Sequence, residues 1–373
     1  MLRMDYTFGE KSFFFTTQRS VLGRIQAMAQ TLSRRDFLQL GGLTLGSLAF
    51  SPYISGLTQR PPQAVGLTRV TVKEVRIYKE PSYKSEVIAT RSRDQLLYVY
   101  EKFESPQGPE FNPRWYRLEE GFAHTAYLQP VETQLNKVVS LVRPEGELFE
   151  VTVPLTQSYR NTKAYGWQKL YRLYYRSTHW VTGIETGPDG ALWYRIQDEL
   201  LYIDYYVLAT HLRKVLGSEL TPVSTQVAPE RKRVDVSIPE QRLWVYEEDQ
   251  VILDTKVSTG IPNLRSLNGI PTGTPRGSFN VFSKMPVRHM GDGQITSDIF
   301  AYELPGVPWV SYFHEWGVAF HGTYWHDNYG NEMSHGCVNM RPDEAKWLFR
   351  WLTPVSSYRD VQTVGNGTRV NVS

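Results

Sequence analysis

The chain of 373 residues contains a single cysteine, Cys337. One cysteine excludes an intramolecular disulfide, and the paired C-x-x-C spacing of many zinc sites is absent with it. A lone free cysteine is most often a buried and inert side chain, because the thiol behaves as a small hydrophobic group. Here, however, the cysteine stands in the polar, glycine-containing stretch "MSHGCVNMRP". That setting makes the thiol a candidate nucleophile.

The chain also lacks a strong excess of either charge. Its 41 Lys and Arg residues exceed its 38 Asp and Glu residues by three. That excess lies within residues 1–49, which hold six basic and three acidic residues. The remainder is close to neutral, which argues against nucleic acid as a partner. With 41% apolar residues and frequent Tyr, Val, Thr and Trp, the chain is predicted to be a mainly β protein of two or three domains.

Residues 1–58 carry the pattern of an export signal. The pair Arg34–Arg35 precedes an apolar run, Phe37–Phe50, that is too short for a comfortable membrane span. The stretch Ser33–Leu38 resembles the twin-arginine signal of proteins that are exported folded. Met28 would begin a signal of ordinary length. The pattern predicts a location in the cell envelope, with membrane attachment only if the signal stays uncleaved; the alternative is an amphipathic helix of a soluble domain.

A linker is predicted at residues 59–67, and short β-rich runs with frequent turn signals follow it. Such a pattern favours a small barrel or sandwich. The order "VRIYKEPS", then "LLYVYE", then "WYRLEEGFAHTAYL" resembles a bacterial SH3-like module of the kind found in cell-wall proteins. The resemblance predicts an SH3-like domain over residues 68–132.

A second copy of this module is predicted over residues 133–217. "WYRLEEGFAHTAYLQPV", starting at Trp115, is echoed by "WYRIQDELLYIDYYVLA", starting at Trp193. Repetition at this scale indicates duplicated domains. The aromatic clusters could bind glycan or peptide, but an aromatic-rich β core explains most of them. Residues 218–231 mix Pro, Ser and charge and are predicted to form a second linker.

Beyond residue 232 the pattern changes. "KRVDVSIPEQRLWVYEEDQVILDTKVSTG" alternates apolar and polar residues around a turn, which predicts a β-hairpin. Residues 284–310 are rich in Gly and Pro and suggest a long excursion that covers a groove. "PDEAKWLFRWL" predicts a helix that begins at Pro342.

The stretch "VAFHGTYWHDNYGNEMSHGCVNMR" contains the main candidate catalytic residues. His321 ends an apolar strand, and Cys337 follows 16 residues later beyond a polar loop. An imidazole near a thiol can remove its proton and produce the reactive thiolate. Gly322 and Thr323 both offer backbone carbonyls close enough along the chain to hold the imidazole ring. The N–H groups of His335, Gly336 and Cys337 form a plausible nest for the oxyanion of a tetrahedral intermediate.

"HGT" followed by "SHGCVNM" resembles the signature of the L,D-transpeptidase catalytic domain, also called the YkuD-like domain. "VDVSIPEQRLWVYEEDQ" and "TPRGSF" also resemble parts of that domain, so the likeness covers residues 232–373. It implies that Cys337 is the nucleophile, that His321 is the base, and that the "HGC" amides form the oxyanion site. It also implies that Ser334 and Asn339 shape the loop. The implied fold is a β-sandwich-like pair of sheets with a short helix.

The function implied by this resemblance is that of a peptidoglycan L,D-transpeptidase. Cys337 would attack a stem peptide, form a thioester and release a D-amino acid. An amine of a neighbouring stem, or of a protein, would then accept the acyl group. The chemistry would require no cofactor and no metal. Arg341 would contact a substrate carboxylate or serve a structural role.

Three alternatives remain at the level of sequence. The first is a zinc site, whose imidazole and thiolate ligands would be drawn from His314, His321, His326, His335 and Cys337. Its spacing lacks the usual paired forms. The second is an exported cysteine amidase or peptidase with another acyl acceptor. The third is a non-catalytic protein that binds the cell wall through its SH3-like modules.

Overall fold

The computed structural model describes residues 60–264 and 269–373. The predicted export signal lies outside these residues. Within the described ranges, strands dominate, and the only α-helix is α1, Pro342–Trp351. No helix among these residues is long and apolar enough to cross a membrane. The mainly β composition predicted from the sequence is confirmed.

The first part of the structure, here called the N-terminal module, spans residues 66–131 and contains two antiparallel sheets. Their orders are β4-β1-β8 and β3-β2-β7-β6-β5. The apolar faces of the strands enclose a core around Val70, Ile77 and Leu128. The strands are β1 Gly66–Val70, β2 Glu74–Tyr78, β3 Val87–Ser92, β4 Leu96–Val99, β5 Glu101–Glu104, β6 Arg114–Arg117, β7 Phe122–His124 and β8 Leu128–Val131.

The second part, here called the middle module, spans residues 147–214 and forms one seven-stranded sheet of order β11-β10-β14-β13-β12-β9-β15. Its core is separate from that of the N-terminal module and includes Phe149, Leu173 and Tyr194. The strands are β9 Glu147–Val151, β10 Leu155–Thr162, β11 Gly166–Tyr174, β12 Thr178–Thr186, β13 Leu192–Gln197, β14 Asp204–Leu208 and β15 Leu212–Lys214.

The repeated sequence has a repeated structure. In each module two paired strands are followed by a 3-10 turn, Thr125–Tyr127 or Ala209–His211, and then by a short last strand. That last strand pairs antiparallel with the first strand of its own module. Trp115 and Trp193, which begin the two similar stretches, are both buried, so they belong to the protein interior. The SH3-like identity and the domain boundaries stay predictions.

The third part, here called the C-terminal domain, contains the remaining strands and α1. Its two five-stranded sheets have the orders β18-β17-β16-β25-β19 and β23-β22-β21-β20-β24. The strands are β16 Lys232–Ser237, β17 Arg242–Glu247, β18 Gln250–Lys256, β19 Gly277–Asn280, β20 Ser283–Gly291, β21 Glu303–His314, β22 Val318–Gly322, β23 Val338–Met340, β24 Thr363–Val364 and β25 Arg369–Val372.

One hydrophobic core lies between these two sheets and α1. The first sheet contributes Val234 and Leu243, the second contributes Phe320 and Val338, and the helix contributes Leu348, all almost completely buried. The alternation in β16 and β17 points one face of each strand into this core. The predicted hairpin, the helix at Pro342 and the β-sandwich-like arrangement are confirmed.

The predicted excursion at residues 284–310 is wrong. Most of this segment forms β20 and β21, which pair antiparallel, and only residues 292–302 connect them. The Gly and Pro residues that suggested a loop are accommodated by a shift of register between Arg288 and Met290 and by positive φ at Gly306. Continuous burial of both faces of β20 and β21 outweighs these local signals.

Candidate active site

The parallel pairing of β22 with β23 sets the geometry of the site. His321 lies opposite Asn339 in this pairing, and Cys337 immediately precedes β23. Because alternate residues of a strand share a face, Cys337 and Asn339 lie on the face that carries Ala319 and His321. Packing confirms this placement, since Cys337 contacts the apolar cluster that contains Ala319 and Trp325. The structure therefore brings thiol and imidazole to one face of adjacent strands.

Cys337 is a partly buried residue. Its Sγ lies 3.7 Å from the carbonyl oxygen of Gly317, to which it donates a hydrogen bond. Burial raises the pKa of Cys337 to about 11, although the backbone N–H of Ala319 opposes this effect. The thiol is therefore protonated at neutral pH, and a base must take its proton before it can attack.

His321 is the predicted base. Its side chain is buried, and its Nδ1 lies 3.1 Å from the carbonyl oxygen of Gly322. A carbonyl only accepts hydrogen bonds, so Nδ1 carries the proton and Nε2 keeps a lone pair. Burial lowers the pKa of His321 to about 4, despite the opposing effect of that hydrogen bond. The imidazole is thus neutral and able to accept a proton.

Ser334 holds the cysteine loop closed. Its Oγ donates to the carbonyl oxygen of Cys337 at 2.5 Å and accepts from the N–H of Gly336 at 3.1 Å. Gly336 has φ of +124°, a conformation that L side chains rarely adopt. Because the Gly336 N–H is already engaged, the N–H groups of His335 and Cys337 are left as candidate oxyanion donors.

A second segment packs closely against this loop. The carbonyl oxygen of Gly336 accepts a hydrogen bond from Thr274 Oγ1 at 2.8 Å, and Thr274 Oγ1 accepts from the N–H of Gly260 at 2.9 Å. A Cβ at Gly260 would lie 2.2 Å from the carbonyl oxygen of Thr272. Only glycine allows this approach at position 260. The hydrogen bonds that join Gly260, Thr274 and Gly336 therefore depend on it. Thr274 belongs to the "TPRGSF" stretch, but its role was not predicted.

Two of the predicted site residues are turned toward the protein's own side chains. His335 is exposed, and its Nδ1 lies 3.5 Å from the hydroxyl of Tyr302. Arg341 donates to Thr255 Oγ1 at 3.3 Å, and its guanidinium lies over the ring of Tyr329. These contacts favour the structural alternative for Arg341.

His326 was considered in the sequence only as a zinc ligand, yet it lies beside the proposed pair. It is buried, and its Nε2 is 2.8 Å from the side-chain nitrogen of Asn339. The only feature of the sequence that could have suggested a functional role for His326 is its position between His321 and Cys337. Across residues 60–264 and 269–373, no three His, Cys, Asp or Glu side chains are placed to hold a metal ion.

A groove of about 640 Å³ lies next to the cysteine loop, although neither Cys337 nor His321 lines it. Ser283 and Tyr312 form part of its floor, and the strand register places both on the sheet face that carries Ala319 and Cys337. Gly317, whose carbonyl contacts Sγ, also lines the groove. The middle module contributes the opposite wall, which includes Trp180, Gln197, Asp198, Glu199 and Tyr202.

Comparisons with known proteins concern mainly the C-terminal domain. Residues 231–372 match the family model of the L,D-transpeptidase catalytic domain, YkuD. No curated protein shows a significant sequence match to the chain. Among solved structures, an L,D-transpeptidase of Enterococcus faecium is 26% identical over 39% of this chain and 50% of its own, with a TM-score of 0.29.

Two further solved chains are matched over almost their whole length. The catalytic domain of the Enterococcus faecium L,D-transpeptidase is 28% identical over 39% of this chain and 98% of its own, with a TM-score of 0.28. An L,D-transpeptidase from Mycobacterium smegmatis is 18% identical over 52% of this chain and 98% of its own, with a TM-score of 0.30. The chain spans about half the length of the Enterococcus faecium chain matched first. Residues 231–372 are therefore similar in sequence to the L,D-transpeptidase catalytic domain.

Proposed function

We propose that the protein is a peptidoglycan L,D-transpeptidase of the cell envelope. The family match of residues 231–372 supports this proposal. The observation that carries it is the parallel register of β22 and β23, which puts the His321 imidazole and the Cys337 thiol on one sheet face. The substrates would be stem peptides of peptidoglycan, with an amine of a second stem or of a protein as acceptor.

The first half of the reaction forms an acyl-enzyme. Cys337 Sγ attacks the carbonyl carbon of the L,D bond in the donor stem, while its proton passes to His321 Nε2. The C–N bond then breaks, and His321 returns the proton to the departing amine of the D-amino acid. A thioester between Cys337 and the stem peptide remains.

The second half transfers the acyl group. The acceptor amine attacks the thioester carbonyl and gives a proton to His321, which returns it to the departing Cys337 sulfur. Both halves pass through a tetrahedral oxyanion. The N–H groups of His335 and Cys337 would donate to that oxygen, and the loss of one such donor typically costs about 10²-fold or more in rate.

The electrostatics of the pair suit this sequence of steps. A raised pKa for Cys337 and a lowered pKa for His321 keep both groups neutral at rest. The charged thiolate and imidazolium therefore form only as the bond to the substrate forms. The steps need a nucleophile, a base and hydrogen-bond donors, all of which the chain itself supplies.

The test is incubation of the full chain with a defined tetrapeptide donor and an amine acceptor, followed by mass analysis. We expect a covalent adduct on the protein, release of a D-amino acid and a cross-linked product. Cys337→Ala should abolish all three. Cross-linking that persists in Cys337→Ala would overturn the proposal.

The same experiment separates the alternatives. A shortened stem with no cross-linked product would indicate a cysteine peptidase that uses water as acceptor. A folded chain that binds peptidoglycan, forms no adduct with donor or with a carbapenem, and releases no amino acid would indicate a non-catalytic wall-binding protein. Arg117→Gln serves as the control, because it replaces an exposed side chain outside the proposed site.

A further inference from the structure

The N-terminal module contacts the segment that joins the proposed base to the proposed nucleophile. This segment, residues 323–334, is here called the connecting loop. Arg69 is almost completely buried, and its Nη2 donates to the carbonyl oxygen of Tyr324 at 3.2 Å. In the opposite direction, Lys256 Nζ of the C-terminal domain donates to the carbonyl oxygen of Phe111 in the N-terminal module at 2.8 Å.

Asp327, near the centre of the connecting loop, makes its main-chain hydrogen bonds to the N-terminal module. Its N–H donates to the carbonyl oxygen of Ala126 at 2.8 Å. Its carbonyl oxygen accepts from Asn112 Nδ2 at 3.1 Å and from Arg114 Nη2 at 3.0 Å. Every main-chain polar group of this residue is therefore satisfied by the module.

The side chains of Asp327 and Asn328 also contact the N-terminal module. Arg114 Nη2 lies 3.2 Å from Asp327 Oδ1, and its charge opposes the rise in the pKa of Asp327 that burial causes. Asn112 Nδ2 is also 3.2 Å from Asn328 Oδ1. Asn112 is 1% exposed, and its own carbonyl oxygen accepts from His124 Nε2 at 2.6 Å. A buried, fully bonded asparagine of this kind has one fixed orientation.

His326 connects the connecting loop to Asn339 on β23. The N–H of Asn328 donates to His326 Nδ1 at 3.2 Å, so the proton of the neutral imidazole is on Nε2. Nε2 faces the side-chain amide of Asn339 at 2.8 Å. Turning the Asn339 amide so that its oxygen accepts from Nε2–H makes this contact a hydrogen bond and gives a partner to that buried oxygen, which otherwise has none. Asn339 is also the residue opposite His321 in the strand pairing.

His326 must also stay neutral. It is buried, and burial together with the nearby His321 lowers its pKa to about 3. A cation at this position would repel the imidazolium that forms on His321 during proton transfer. The titratable groups around it include His321 and Tyr329, whose ring lies 5.2 Å away. Asp327, Arg341 and Asp343 line the same cavity as His326.

We propose that the N-terminal module positions the catalytic pair. Asn112 and Arg114 hold Asp327 and Asn328 so that His326 orients Asn339 beside His321. In this role the module is part of the reaction machinery and not only a wall-binding attachment. The inference deepens the proposed function, but its effect on thiol reactivity stands without it.

The test uses the full chain and the alkylation of its only cysteine by iodoacetamide. Asn112→Ala and Arg114→Gln should slow alkylation at pH 7 by about tenfold or more, because small displacements of reacting groups are costly. With cross-linking as readout, the loss should fall on kcat more than on KM. Arg114→Lys should recover part of the rate.

The pH dependence of the alkylation rate distinguishes a positioning role of the N-terminal module from a merely structural one, because a merely structural role would leave that dependence unchanged. When water reaches His326, its pKa should return toward the ordinary value near 6.5. Alkylation of Arg114→Gln should then fall steeply below pH 6.5, where the parent chain still reacts. Arg117→Gln is the matched control, since Arg117 lies on the same strand and pairs with the exposed Glu101.

The outcomes are distinguishable. The side chain of Arg114 is 34% exposed, so its replacement leaves the fold intact even where Asn112→Ala unfolds the chain. Unchanged alkylation rates and unchanged kcat in folded Arg114→Gln would overturn the positioning role. If the parent chain makes no cross-link while its alkylation depends on Arg114, only the transpeptidase proposal fails.

Discussion

His321 and Asn339 face each other across the parallel strands β22 and β23, in the register that also pairs Phe320 with Val338. Neighbouring strands lie about 4.8 Å apart, so a residue two positions before Asn339 remains close to the imidazole. Cys337 occupies that position. The connecting loop must therefore cross back to let the second strand run parallel to the first, and the N-terminal module holds it there.

Replacement of His321 by Gln should make Cys337 poorly reactive. Glutamine keeps a polar side chain but cannot take the thiol proton, and general-base catalysis typically contributes about 10²–10⁴-fold. The second-order rate of alkylation at pH 7 measures the effect. Arg117→Gln, at an exposed position of the N-terminal module, is the control and should react like the parent chain. An equal rate in His321→Gln would remove His321 from the role of base.

The acid limb of the pH–rate profile should lie near pH 4. The pKa of His321 is lowered to about 4 by burial, so the imidazole stays neutral and able to accept a proton well below the ordinary value of about 6.5. The rate of adduct formation should be level from pH 7 to about pH 5 and fall below that. Thermal melts at each pH confirm that the protein stays folded, and a limb near pH 6.5 would contradict a buried base.

Replacement of Gly336 by Ala should reduce turnover. A φ of +124° is strained for any residue with a Cβ, and such strain costs about 1–3 kcal/mol. The loop would relax and displace the N–H groups of His335 and Cys337, with an expected loss of about 10²-fold in kcat.

The control for this substitution is Gly190→Ala. Gly190 also has positive φ, at +78°, but a Cβ there meets nothing within 4 Å. We expect a comparable loss of stability, measured by denaturant unfolding, with turnover unchanged. Equal turnover in both variants would show that the conformation of the cysteine loop does not matter.

His289 should stabilise the contact between the middle module and the C-terminal domain. It is 1% exposed, and its ring nitrogens lie 2.7 Å from Asp198 and 2.8 Å from Glu303. Burial alone would lower the pKa of His289, but these two carboxylates, with Glu199 nearby, raise it above its ordinary value. His289→Ala leaves two buried carboxylates facing each other and should cost about 3–5 kcal/mol of unfolding free energy.

The sign of the pH dependence follows from the raised pKa. The stability that His289 contributes is fully present below about pH 6.5, the ordinary value, and is lost as pH rises through the raised value. The difference in unfolding free energy between the parent chain and His289→Ala should therefore be larger at pH 6 than at pH 9. A constant difference would show that His289 is neutral in the folded protein. His335→Ala, at an exposed imidazole, should show neither effect.

Local patterns predicted the parts of the fold that local physics determines. Alternation of apolar residues predicted the hairpin of β16, β17 and β18, and the acidic first turn after Pro342 predicted α1. The excursion expected at residues 284–310 was wrong, because Gly and Pro signals were outweighed by the pairing of β20 with β21. Tertiary packing overrides such signals when a strand can bury one face.

The sequence by itself determined that a histidine and the only cysteine follow apolar strands near a flexible "HGC" loop, because residue chemistry and short spacings are visible in the order of residues. Only the tertiary structure decided the parallel register that places His321 beside Asn339. It alone decided the tautomer of His321, through Gly322, and the contact of Asn112 with Asp327. These relationships join residues far apart in the chain, and the free energy that selects them comes from burial and pairing that no local pattern records.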